Sequence, residues 1–167
     1  MGLTTGAGPF GERPQGRFDF DPPARARYVE PTQKRVRAEK DGRTVADSRR
    51  VLLVWETGSQ PVYAFPAEDV DVEGEPVPGL AGYVRLAWDA ADAWYEEDER
   101  VFVHVRDLYH RIDVLETTSR VRVSVDGVAL AEGTPRFLFE TALPRRAYFD
   151  PAEVRLDVMT PSDTETG

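Results

Sequence analysis

The dipeptide Asp-Gly occurs twice in this chain, at Asp41-Gly42 and at Asp126-Gly127, each time between alternating apolar and polar residues. A two-residue reversal of type I′ needs positive φ at both central positions, which Asp and Gly tolerate, so each pair predicts a tight β-hairpin, at 36–46 and at 121–131. Laying 'RVRAEKDGRTVADS', from Arg35, on 'RVRVSVDGVALAEG', from Arg120, matches Arg35, Val36, Arg37, Asp41, Gly42 and Ala46 with Arg120, Val121, Arg122, Asp126, Gly127 and Ala131. The chain therefore reads as two diverged copies of one mainly β unit, about 85 residues apart. The apolar runs Val51 to Trp55 and Arg136 to Phe139 supply a third strand to each copy, and Val62 to Phe65 and Ala147 to Phe149 a fourth. Pro66 and Pro151 lack a backbone N–H and end those fourth strands.

Around the repeat, residues 1–33 form an irregular arm with glycines and prolines but no sustained period, whose Phe10, Phe18, Phe20 and Tyr28 pin parts of it onto a core. The first unit spans 34–105 and the second 106–167. Between the two hairpins, Val84, Leu86 and Trp88 alternate as in a strand. From Asp89, an N-cap followed by Asp92 predicts a short amphipathic helix over 89–99 that connects the copies, and Val101 to Val105 reads as a further strand. The acids Glu96, Glu97, Asp98 and Glu99, like those from Glu68 to Glu75, read as solvated faces, with weak divalent-cation binding as the alternative. Trp55, Trp88 and Trp94 are core or interface anchors.

Composition removes whole classes of function. A chain of 167 residues at 41% hydrophobic content has enough apolar side chain for a core. With no cysteine, it can hold no disulfide, thiolate metal site or cysteine nucleophile. A formal charge of -9 opposes a nucleic-acid partner. No signal-peptide pattern opens the chain and no stretch approaches the roughly 20 apolar residues that cross a bilayer, so no membrane partner and a cytoplasmic location are expected.

Over nearly its whole length the chain resembles the bacterial family called domain of unknown function 427, in tandem form. The resemblance is carried by 'RPQGRFDFDPP', 'VADSRRVLLVWE', 'PVYAFPAEDV', 'DAWYEEDERVFVHVRDLYHRIDVLETTSRVRV' and 'FETALPRRAYFDPAEVRLDVMTPSDTETG'. It implies small β-rich units of the β-tent (Mss4-like) type, related in shape to methionine sulfoxide reductase B. One label attached to the family suggests nucleotidyl transfer, but the glycine-serine and paired-aspartate pattern of that chemistry is absent here. In the family, the 'PSDT' stretch leads into a Cys-Pro-x-Lys-Gly run. Here 'PSDT' is followed by Glu-Thr-Gly, and both copies lack the middle of the family unit, leaving sheet edges open for pairing with another chain.

Among the motifs that carry chemistry, Gly6-x-Gly8-x-x-Gly11 matches a dinucleotide fingerprint in letters only, since it contains Pro9, follows no strand and opens no helix. His104 and His110, with Asp107 between them, are the candidates for a metal site. The recurring polar group is Glu56, Tyr63 and Glu68, matched by Glu140, Tyr148 and Glu153, which Arg146 and Asp150 join in the second copy. Carboxylates and a phenol on neighbouring strands suit general acid-base work; equally, the tyrosine packs across the sheet and each Pro-Ala-Glu starts a turn. No cofactor is indicated. The expected function is a noncatalytic binding or self-association module that forms homo-oligomers through strand edges. The alternative is an enzyme acting on a small molecule with the Glu, Tyr and Arg group of the second copy.

Overall fold

A computed structural model describes residues 2–141 and 143–163, and the chain divides into two compact units, the first ending at His110 and the second beginning at Arg111. Among the described residues there are fourteen strands, joined by loops and four short 3-10 turns. No helix among them is long and apolar enough to cross a membrane. The protein is mainly β.

The first unit holds β1 (Arg27–Pro31), β2 (Val36–Lys40), β3 (Arg43–Ser48), β4 (Leu52–Glu56), β5 (Val62–Pro66), β6 (Glu75–Pro76), β7 (Tyr83–Arg85), β8 (Ala93–Glu96) and β9 (Glu99–Val101). They make two antiparallel sheets, ordered β1-β4-β5-β7-β6 and β3-β2-β8-β9. Side chains alternate across a strand, so β4 and β5 each serve two apolar layers. Leu53, Trp55, Tyr63 and Phe65 enter the main core with Val36, Ala38, Trp94 and Val101. Val54 and Ala64 face the other way, against Val77, Leu80 and Tyr83.

The second unit holds β10 (Ile112–Leu115), β11 (Val121–Val125), β12 (Val128–Gly133), β13 (Arg136–Glu140) and β14 (Arg146–Tyr148), as a sheet ordered β10-β13-β14 and a separate hairpin β11-β12. Its core is thin. Ala131 and Phe137 are buried, and the Arg145 guanidinium lies 4.1 Å over the Phe137 ring.

Both Asp-Gly hairpins form as the turn chemistry requires, with φ of +50° and +72° at Asp41 and Gly42, and +50° and +82° at Asp126 and Gly127. They share a finer irregularity. Each strand pair slips by one residue, between Ala38 and Glu39 in the first hairpin and between Val123 and Ser124 in the second. In each, the carbonyl of the extra residue, Val45 or Leu130, accepts a hydrogen bond from a later segment, Asp71 N–H at 2.8 Å or Arg155 N–H at 2.7 Å. A 3-10 turn precedes that segment in both units, at Ala67–Asp69 and Pro151–Glu153.

Three local expectations need correction. The helix over 89–99 does not form: Trp88–Ala90 is one 3-10 turn, and 93–101 is the hairpin β8-β9, with Glu97 at φ +53° in its reversal. The true period is two, Trp94 and Glu96 pointing inward and Ala93 and Tyr95 outward, and it is hidden because one inward residue is a carboxylate. The strand through Trp88 ends at Arg85, and β9 stops at Val101, beyond which Val103 takes a φ of +70°. The arm is irregular only to residue 26, because Arg27–Pro31 pairs with β4 as β1.

Part of the arm is nonetheless docked. Thr4 is buried, its carbonyl accepting from Gly58 N–H at 2.8 Å, and Leu3 packs against the main core. The rings of Phe10, Phe18 and Phe20 form a row, 5.1 and 4.9 Å between successive centroids.

Replacing Gly42 or Gly127 by Ala puts a Cβ on a left-handed residue and is expected to cost about 1–2 kcal/mol at either site, read as a lower urea midpoint. An unchanged midpoint at both sites would show that the turns relax to another type.

Candidate functional site

The polar groups singled out from the sequence fall into two different environments. In the first unit Tyr63 is 3% exposed and donates its hydroxyl to Glu96 Oε1 at 2.9 Å. The other oxygen of Glu96 accepts from Lys34 Nζ at 2.6 Å and lies 3.5 Å from the Arg106 guanidinium. Glu96 itself is 4% exposed, so this member of the acid run is no solvated residue but a buried carboxylate neutralised by two cations and a phenol. Burial, reinforced by the Glu96 charge, pushes the Tyr63 hydroxyl far above the usual tyrosine range. A phenol held neutral beside an engaged carboxylate is a structural staple: it ties β5 to β8 across the core.

The first-unit companions of Tyr63 do not join it. Glu56 shares the parity of Val54 on β4 and therefore points to the opposite face from Tyr63, where it pairs with Arg27 and, at 3.8 Å, with Arg85. Glu68 is exposed and pairs with Arg50 at 3.1 Å.

In the second unit the register differs. In the first, Leu53 lies opposite Tyr63 and Leu52 opposite Ala64; in the second, Phe137 lies opposite Ala147 and Arg136 opposite Tyr148. The stretch from Glu140 to Tyr148 is one residue longer than that from Glu56 to Tyr63, and a slip of one residue transfers a side chain to the other face. Tyr148, matched to Tyr63 in sequence, thus shares a face with Arg136, Leu138 and Arg146, is 54% exposed, and makes no hydrogen bond through its hydroxyl among the described residues.

Tyr148, Asp150 and Glu153 line one open cavity of about 530 Å³, together with Glu116, Thr134 and Arg136. Asp150 accepts the Ala152 N–H at 2.9 Å and caps the turn that carries Glu153. Glu153 folds back over Gly133, where a Cβ would fall 2.0 Å from its Oε1, and reaches Thr134 N–H at 3.4 Å. Arg136 faces Glu116 at 3.5 Å. Arg146 and Glu140 are outside the lining and pair with each other at 3.3 Å. Three of the five second-unit candidates are brought together, with three carboxylates and one guanidinium around one phenol.

The same unit exposes strand edges. β2 is flanked by β3 and β8, and β5 by β4 and β7, whereas among the described residues β11 pairs only with β12 and β14 only with β13. Val36 and Ala38, inward on β2, are fully buried; Val123, at the matching place on β11, is 41% exposed, as is Phe139 on β13.

His104 turns Nδ1 to the Val105 carbonyl at 2.7 Å, and the His110 N–H reaches the Asp107 carbonyl at 3.2 Å. Asp107 Oδ1 instead accepts from Trp55 Nε1 at 3.0 Å and Tyr109 N–H at 2.9 Å. Among the described residues no group of three or more His, Asp or Glu side chains is arranged to hold a metal. The sequence reading missed Glu96, Lys34 and Arg106; a signal for Glu96 existed in the alternation Trp94, Glu96.

Tyr63→Phe removes one donor from a buried carboxylate and is expected to cost about 1–3 kcal/mol at neutral pH. It also changes the alkaline limb. Because the folded-state value is raised, the wild type loses stability as pH rises past the unfolded tyrosine value of about 10, where the unfolded chain ionises first. Denaturation measured from pH 8 to 11 should show a shallower decline in the variant; equal slopes would contradict the staple.

The sequence profile described as Domain of unknown function (DUF427) matches residues 28–78 and 113–167, more than half of the chain. No curated protein and no solved structure matches it. The two matched segments carry the two bulged hairpins with their following turns, and the chain belongs to the DUF427 family, with one partial unit in each segment.

Proposed function

We propose that this protein is a noncatalytic binding module whose second unit pairs with another polypeptide through its strand edges, self-association being the simplest form. The observation that carries this reading is the contrast between two like hairpins. β2 has a strand on each side, with Val36 and Ala38 fully buried, while among the described residues β11 has one open edge, and its Val123 and Val125 are exposed. An exposed apolar strand edge is a template for pairing, and it is retained here in a unit whose own core is thin. The shared bulges, bridges and turns support treating the units as copies of one β-tent-type fold, of which the second has fewer covering strands.

Native mass spectrometry of the purified chain is expected to show a concentration-dependent species at twice 18.7 kDa. Val123→Asp, which puts a charge on the exposed row, should shift it towards monomer by at least tenfold in dissociation constant. A strict monomer that captures no polypeptide would refute the binding module.

A second reading rests on the cavity, which gathers Tyr148, Asp150 and Glu153. Under it the protein transforms a small molecule, with the carboxylates exchanging protons with substrate and the phenol orienting it. Tyr148→Phe and Glu153→Gln should then abolish turnover with a melting temperature within about 2 °C of wild type, because neither side chain is buried. A retained small-molecule mass in the native spectrum would favour this reading, and a large stability loss in either variant would oppose it.

A further inference from the structure

Resting on the binding-module reading, we propose that the open edge of β11 receives an acidic, aromatic extended segment of a partner protein, of the kind that β8 and its turn provide inside the first unit. The first unit displays the occupied form of this edge. β8 runs antiparallel to β2 with Glu96 opposite Val36, Tyr95 opposite Arg37, Trp94 opposite Ala38 and Ala93 opposite Glu39. Trp94 drops inward against Tyr63 and Phe65, with ring centroids 5.8 and 6.3 Å away. Tyr95 stays outside under the Arg37 guanidinium, 4.7 Å from its ring centroid. Glu97, in the following turn, accepts the Arg35 N–H at 2.8 Å.

The receiving elements that belong to the strand itself recur on β11, which among the described residues pairs only with β12. Val121 and Val123 continue the inward row, and Val123, at the place of Ala38, which Trp94 faces in the first unit, is 41% exposed. Arg120 and Arg122 stand where Arg35 and Arg37 stand, and both turn to one carboxylate, Glu132, at 3.4 and 3.9 Å. Two exposed guanidiniums sharing one acid leave the edge cationic, in a chain of net charge -9, so charge complementarity selects an acidic guest. The inward row selects a large aromatic at the position facing Val123, and the backbone edge supplies the pairing. Since Tyr63 has Ala147 in its place by strand register, the guest needs no carboxylate pointing inward, and its acids belong in the outward and turn positions.

The test uses a fluorescent peptide of residues 91–102 of this chain, 'ADAWYEEDERVF', added to the full-length protein and followed by anisotropy. Saturable one-to-one binding is expected, at least tenfold weaker for the peptide carrying Trp94→Ala or the pair Glu97→Lys and Asp98→Lys, and weakened by salt. Arg122→Pro removes an edge N–H and should abolish binding. Should that variant misfold, the peptide substitutions decide alone, since they leave the protein untouched. Absence of saturable binding, or binding indifferent to Trp94→Ala, overturns the proposal. Native spectra of the same mixtures separate the two readings. Dimers without peptide adduct preserve the binding module and sink the peptide-like guest; monomers without adduct sink both.

Discussion

The pairing of β8 with β2, fastened by a buried carboxylate, decides what the first unit covers. Removing Glu96 from water costs several kcal/mol, and the cost is offset only because Tyr63, Lys34 and Arg106 converge on its two oxygens. Those partners come from β5, the approach to β2 and the segment after β9. One carboxylate therefore fixes where four stretches of chain meet. Trp94 follows from it, two residues earlier on the same strand, and stacks 4.9 Å from Trp88 to close the core.

The second unit carries a bulged Asp-Gly hairpin without that closure. Its β11-β12 pair keeps the bulge, the bridge from Ala131 to Val154 and the turn at Pro151–Glu153. The local devices are thus independent of the covering strands, as expected for features set by Asp-Gly chemistry and a bulge. What differs is burial. Val36 and Ala38 on β2 are buried, whereas Val123 on β11 and Phe139 on β13 are exposed, and a surface of this kind is either a binding face or a liability.

The register of β13 with β14 carries the other functional consequence. One additional residue between Glu140 and Tyr148 turns a buried, neutral phenol into an exposed one beside Arg136. Sequence identity at this tyrosine therefore does not mean identity of role. The acids of the second unit gather around a cavity because Asp150 caps the turn that aims Glu153 back over Gly133, where the absence of a side chain leaves room for the carboxylate.

Both hairpins, the third and fourth strands and the mainly β class were legible in the sequence, because Asp-Gly turns and two-residue alternation are local signals that survive any tertiary arrangement. The family was legible too, from stretches such as 'PVYAFPAEDV' that the matched segments include. The hairpin β8-β9 was not, since an inward Glu96 breaks the apolar alternation and only Tyr63, Lys34 and Arg106 together, the first two 33 and 62 residues away, make that position tolerable. Nor was the face of Tyr148: the extra residue between Glu140 and Tyr148 is visible in the sequence, but whether it lengthens the loop or shifts the pairing is decided only when β14 docks on β13. The sequence by itself determined where the chain reverses and which stretches extend. Tertiary structure alone decided which charges are buried, which tyrosine faces water and which strand edge stays open, because these depend on partners that are distant along the chain.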